Sequence, residues 1–73
     1  MSKYPELKKL KGRMVEMGET YRSMSDKTEI SLNTLNNKLN GYTLFDISEV
    51  ASVCSILKIK PAEIPVFFNQ KIT

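Results

Sequence analysis

Apolar residues return at helical spacing in successive stretches of the chain. Leu7, Leu10, Met14 and Met17 stand three or four positions apart and Gly18 follows them. That pattern predicts a first helix over about residues 5–17 whose four apolar side chains face a core. The two methionines could alternatively mark an adaptable binding surface. Thr20 stands where an N-cap belongs and opens a short second helix over 21–28, with Met24 inward. Ser31 is the next cap candidate. It opens a third helix carrying Leu32, Leu35 and Leu39 on one side and closing at Gly41.

Asp46 and Glu49 form a D-x-x-E capping arrangement for a fourth helix, in which Ile47, Val50, Ala51, Cys54 and Leu57 are expected to share the inner face. Ile59 and Pro61 end it. In the following P-A-E-I-P-V-F-F run, Pro65 removes a donor and should hold Ile64 away from helical geometry, so two short turns are expected. Ile64, Phe67 and Phe68 would then cover the open end of the core, or Phe67, Phe68 and Ile72 would form a dimer contact. Residues 69–73 carry too little apolar surface to predict order. The pattern is all-α, a compact bundle of four to five short helices.

The polar side of the third helix is the unusual part. Asn33, Asn36, Asn37 and Asn40 form a stripe beside the leucines. Asparagine is about 0.5–0.7 kcal/mol worse than alanine in a helix, because its amide competes for nearby backbone groups. Base reading gives such a stripe a purpose: a carboxamide can both donate to and accept from the N6 and N7 edge of adenine, in a groove that admits a helix. The plain alternative is a solvated face, with Asn40 part of a helix stop. From Ile30 to Phe45 there is no Asp or Glu. An acid-free window tolerates a polyanion, although chance also produces windows of this length.

Seventy-three residues suit one small domain, 1–73, with a modest core. The chain is 41% apolar and 26% charged, a composition that folds. Its net charge of +3 is unevenly placed, since residues 1–13 hold Lys3, Lys8, Lys9, Lys11 and Arg13 against Glu6. These cations could meet phosphates or form a solvated helix face. Cys54 has no second cysteine to pair with and is expected in the core. Without histidine, and with scattered carboxylates, no metal cluster, cofactor or catalytic constellation is expected, so the chain does not read as an enzyme. Neither a membrane span nor a secretion signal is apparent, which makes a cytoplasmic location the expectation.

The order of helix, short helix, tight turn, Ser-initiated helix, loop and fourth helix resembles the helix-turn-helix domain of phage repressor and Cro proteins, over about residues 6–68. The unit itself is Y-R-S-M-S-D-K-T-E-I-S-L-N-T-L-N-N-K-L-N-G, residues 21–41, with Met24, Ile30 and Leu35 in the family's apolar slots. Two positions depart from that pattern. Ser25 occupies the slot commonly held by alanine, and Glu29 the turn slot commonly held by glycine, so a longer or differently shaped turn is expected.

The resemblance implies base-reading roles for Leu32, Asn33, Asn36 and Asn37. Leu32 would touch a thymine methyl or be buried against the second helix. Phosphate-facing slots fall on Tyr21, Arg22, Ser31, Lys38, Asn40, Tyr42 and Thr43. For Arg22 and Lys38 the alternative is a solvated cation, and Tyr42 could simply pack on its loop. The expected partner is double-stranded operator DNA, bound by a homodimer that represses transcription. The other reading is a modulator that keeps the helix-turn-helix shape and binds a phage repressor protein, with Glu19, Asp26 and Glu29 meeting a basic partner.

Overall fold

Where the sequence carries a cap signal, at Thr20, Ser31 and Asp46, a helix starts at the next residue. The structure is a computed structural model that describes residues 3–68. Its helices are α1 (Lys8–Glu16), α2 (Tyr21–Thr28), α3 (Leu32–Leu39), α4 (Ile47–Leu57) and α5 (Ile64–Phe68), with a 3-10 turn at Pro61–Glu63 before α5. Thr20 caps α2 reciprocally: its Oγ1 accepts from the Ser23 amide at 3.1 Å and its own amide donates to Ser23 Oγ at 2.8 Å. Asp46 and Glu49 do the same for α4, at 2.8 and 2.9 Å. Each such cap satisfies amides that the first helical turn leaves without a partner.

The bundle closes on one apolar core. Leu10, Met14, Met24, Leu35, Leu39, Val53, Leu57 and Phe68 are almost wholly buried in it. Helix α2 packs on α3 and α4, and α1 on α5 and α3. Phe68 meets Phe45 edge-to-face, with centroids 5.3 Å apart, and so closes the open end. No described helix is long and apolar enough to cross a membrane.

Several expectations change. α1 begins at Lys8, three residues beyond the predicted start, because the segment before it is drawn onto the end of α3. Tyr4 N donates to Gly41 O at 2.7 Å, and Leu7 N to Leu39 O at 3.0 Å. Gly41 is needed for this crossing: its φ is +86°, and a Cβ there would lie 2.1 Å from Tyr4 O.

The inner stripe of α4 is Val50, Val53 and Leu57, whereas Ile47 and Ala51 are exposed and Cys54 is only half-buried. Enough burial remains at Cys54 to push its thiol pKa above the ordinary value. Ile64 takes right-handed helical geometry despite preceding Pro65, at the start of α5, where no intrahelical amide bond is lost.

The turn between α2 and α3 keeps the shape that glycine would give it. Glu29 is itself left-handed, at φ 63° and ψ 16°, and its amide donates to Ser25 O at 3.0 Å. Ser25 adds a second tie, its Oγ donating to Ile30 O at 2.6 Å. The small residue in the alanine slot therefore packs and also bonds across the turn.

Candidate nucleic-acid interface

With Leu35 and Leu39 buried beneath it, α3 has only one way to orient. At about 100° per residue, Asn33, Asn36, Asn37 and Asn40 then fall along its outer side. Asn33 and Asn36 are exposed, while Asn37 and Asn40 are partly covered. Ser31 starts the helix, its Oγ accepting from Thr34 N at 3.2 Å and donating to Thr34 Oγ1 at 2.8 Å. Leu32 is 42% exposed, so it is not buried against α2. It lines a shallow concavity of about 530 Å³ with Tyr21, Asn33 and Asn36. Three of the four side chains expected to read bases, with Tyr21 from the start of α2, thus border one surface, and Asn37 does not line it.

The asparagines of the stripe do not all have the same freedom. Among the described residues the amide groups of Asn33 and Asn37 make no side-chain hydrogen bond. Asn40 is held at both ends. Its Oδ1 accepts from Lys11 Nζ at 2.6 Å, and its Nδ2 donates to Asn36 O at 2.8 Å and Asn36 Oδ1 at 3.0 Å. Lys11 also pairs with Glu6 at 2.8 Å. Burial acts to lower the Lys11 pKa, but the bonds to Glu6 and Tyr21 outweigh it and hold the ammonium above its ordinary value. In the sequence Asn40 takes a phosphate-facing slot, with a helix stop as the alternative, and Lys11 is left either to meet phosphates or to lie on a solvated helix face. Their contact spans 29 positions, so no local signal could have announced it.

The expected phosphate-facing residues separate similarly. Arg22, Tyr42 and Thr43 are exposed, with Tyr42 at 50%, so Tyr42 does not pack closely on its loop. Lys38, expected to face phosphate or else to be a solvated cation, is engaged within the domain. Its ammonium pairs with Glu49 in a largely covered site and lies 5.8 Å from the centre of the Phe45 ring. That arrangement ties α3 to the start of α4. Arg13, counted with the basic amino-terminal segment, instead caps the end of α4. Its Nε donates to Leu57 O at 2.9 Å and its Nη2 to Lys58 O at 3.2 Å.

The acidic side of α2 is partly neutralised. Glu19 pairs with Lys27 at 2.6 Å and accepts from Ser23 Oγ at 2.6 Å, contacts that hold its carboxyl below the usual pKa. Asp26 and Glu29 are exposed. Among the expected dimer contacts, Phe68 is wholly buried and has no surface to offer a partner; Phe67 is half-buried against the core. Ile72 lies outside the described residues.

A family model of the Cro/C1-type HTH DNA-binding domain matches residues 9–70. No curated protein and no solved structure matches the chain. The family match takes in all five helices except the first residue of α1, and with it the whole asparagine surface. The chain belongs to the Cro/C1-type helix-turn-helix DNA-binding domain family.

Proposed function

We propose that this Cro/C1-type domain is a small sequence-specific transcriptional regulator of the phage Cro kind, which lays α3 in the major groove of operator DNA and represses by occupying a promoter. It works in the cytoplasm, where its DNA is. The observation that carries this reading is the run of carboxamides along the outer side of a helix whose other side is anchored by Leu35 and Leu39. Asn33 and Asn37 supply amides uncommitted to other side chains, and Asn36 and Asn33 border the concavity that Tyr21 lines. The exposed Leu32 supplies the apolar contact for a thymine methyl in this reading. Tyr21, Arg22, Ser31, Tyr42 and Thr43 flank the helix as phosphate contacts, which fix register without reading sequence. Lys38 and Asn40 are engaged by Glu49 and Lys11 of neighbouring segments and are left out of that set.

One such domain covers a single half-site, and a module of this size buries only about 600–1,000 Å² on DNA. Pairing into a homodimer would join two half-sites about 34 Å apart. The competing idea, a modulator that binds a phage repressor through the acids of α2, is weakened by the Glu19–Lys27 pair.

The test is binding to a random duplex pool across a salt series. Asn37→Ala is expected to weaken binding by about 1–3 kcal/mol and relax one base position. Arg22→Ala should weaken all sequences alike and reduce the salt slope by about 1. Capture of a repressor protein, with no salt-dependent DNA binding by the chain, would favour the modulator instead.

A further inference from the structure

The Lys11–Asn40–Asn36 chain has a direction. An ammonium carries donors and no acceptor, so the Asn40 amide must turn its oxygen toward Lys11, 2.6 Å away. The other end demands the same orientation. Asn36 O is a backbone carbonyl, an acceptor only, and it receives Asn40 Nδ2 at 2.8 Å. Which atom is oxygen and which is nitrogen in Asn40 is therefore fixed independently from both sides. The same Nδ2 reaches Asn36 Oδ1 at 3.0 Å. The oxygen of the Asn36 amide is thereby held against Asn40, and its NH2 is left on the opposite side of the group. Asn36 is exposed and borders the concavity shared with Tyr21, Leu32 and Asn33.

We infer that Lys11 and Asn40 polarise Asn36 into a hydrogen-bond donor toward DNA, making it a specificity-determining residue that accepts a base with an acceptor edge and rejects cytosine. Guanine N7 and O6, adenine N7 and thymine O4 all accept in the major groove, whereas cytosine offers its N4 amino donor. A donor facing a donor leaves both groups unsatisfied in a desolvated contact. Asn33 and Asn37, with no comparable tether among the described residues, keep both halves of their amides for adenine. Asn40 and Lys11 are positioning residues, since they act through Asn36 and need touch no base. The sequence pattern shows four equivalent asparagines, but the fold gives two of them a direction, Asn40 within the network and Asn36 at the exposed surface.

This inference rests on the proposal that α3 reads bases, and the experiment separates the two. Wild type, Asn36→Ala, Asn40→Asp and Asn40→Ala are each used to select from a random duplex pool, with folding checked by circular dichroism. Asn36→Ala identifies the contacted position as the one it relaxes. There the wild type should disfavour cytosine by about tenfold.

Asn40→Asp replaces the amide by an acceptor-only carboxylate. It still accepts from Lys11, but the oxygen that replaces Nδ2 is repelled by the Asn36 carbonyl and can meet the Asn36 side chain only by accepting from its NH2, which turns the Asn36 oxygen outward. Cytosine should become favoured at that one position. The readout is a ratio between bases, so a general loss of affinity from the added negative charge leaves it intact. Asn40→Ala, which removes the tether, should make the position indifferent and serves if the Asp variant does not fold. Unchanged wild-type preference in both folded Asn40 variants would overturn the inference while leaving α3 as the reading helix. Absence of any sequence preference in the wild type would overturn the reading beneath it.

Discussion

Glu29 occupies a backbone conformation that disfavours every residue with a Cβ. A non-glycine residue in the left-handed region is strained by about 1–2 kcal/mol, part of which glycine gives back through its larger freedom in the unfolded chain. Glu29→Gly is therefore expected to raise stability by about 0.5–1 kcal/mol in urea unfolding. A loss of stability would mean that the glutamate side chain contributes something its exposed position does not reveal. The caps at Thr20, Ser31 and Asp46 were legible in the sequence because cap and amide are three residues apart. Lys11, Arg13 and Lys38 were not. Each reads in the sequence as a phosphate contact or a solvated cation and is engaged only when distant elements meet, Arg13 with a carbonyl 44 positions away. Glu29 lay between these cases: its slot was recognised, but its side chain pointed to an altered turn, and the hydrogen bonds of Ser25 held the usual one.

Among the elements, α3 was the easiest to place, since its two leucines and its asparagine stripe differ in character as well as in phase. α4 was harder. It is apolar on much of its circumference, and the stripe containing Ile47, Ala51 and Cys54 matched helical spacing nearly as well as the true one through Val50, Val53 and Leu57. Packing into the shared core, against α2 above all, decides between them. The start of α1 was set by tertiary bonds to the end of α3, so an amphipathic repeat could not mark it. The link between α3 and α4 gives a direct check on the reassigned lysine. Lys38→Met should lower stability by about 1–3 kcal/mol, because Glu49 would lose its cation in a largely covered site. In chemical denaturation the midpoint should fall accordingly. Unchanged stability, together with a uniform loss of DNA affinity, would return Lys38 to the phosphate-facing set.

For the whole molecule, a small core leaves stability sensitive to its peripheral ionic ties. Hydrogen bonds and nearby charge from Lys11 hold the Glu6 carboxyl below its usual pKa; Lys27 and Ser23 do so for Glu19, and the Glu49 amide and Ser48 for Asp46. A carboxylate whose pKa is lower in the folded state stabilises the fold above its unfolded pKa and stops doing so as pH falls through the folded one. Thermal unfolding should therefore be nearly independent of pH from about 7 to 5 and fall progressively below about 4. Lys11 works in the opposite sense, its raised pKa favouring the fold until pH climbs past about 10. A midpoint that rises on acidification would contradict these assignments.

The Lys11–Asn40 bond and the Lys38–Glu49 pair both end on α3, and the outer face of that helix can be observed side chain by side chain. Nitrogen-15 NMR of the wild-type chain, titrated with a duplex it has selected, resolves the asparagine NH2 groups individually. The account predicts that the side-chain amides of Asn33, Asn36 and Asn37 shift strongly on saturation, while backbone amides along the buried seam of α4 stay near their free positions. Shifts confined to another face, with those three NH2 pairs unmoved, would contradict it.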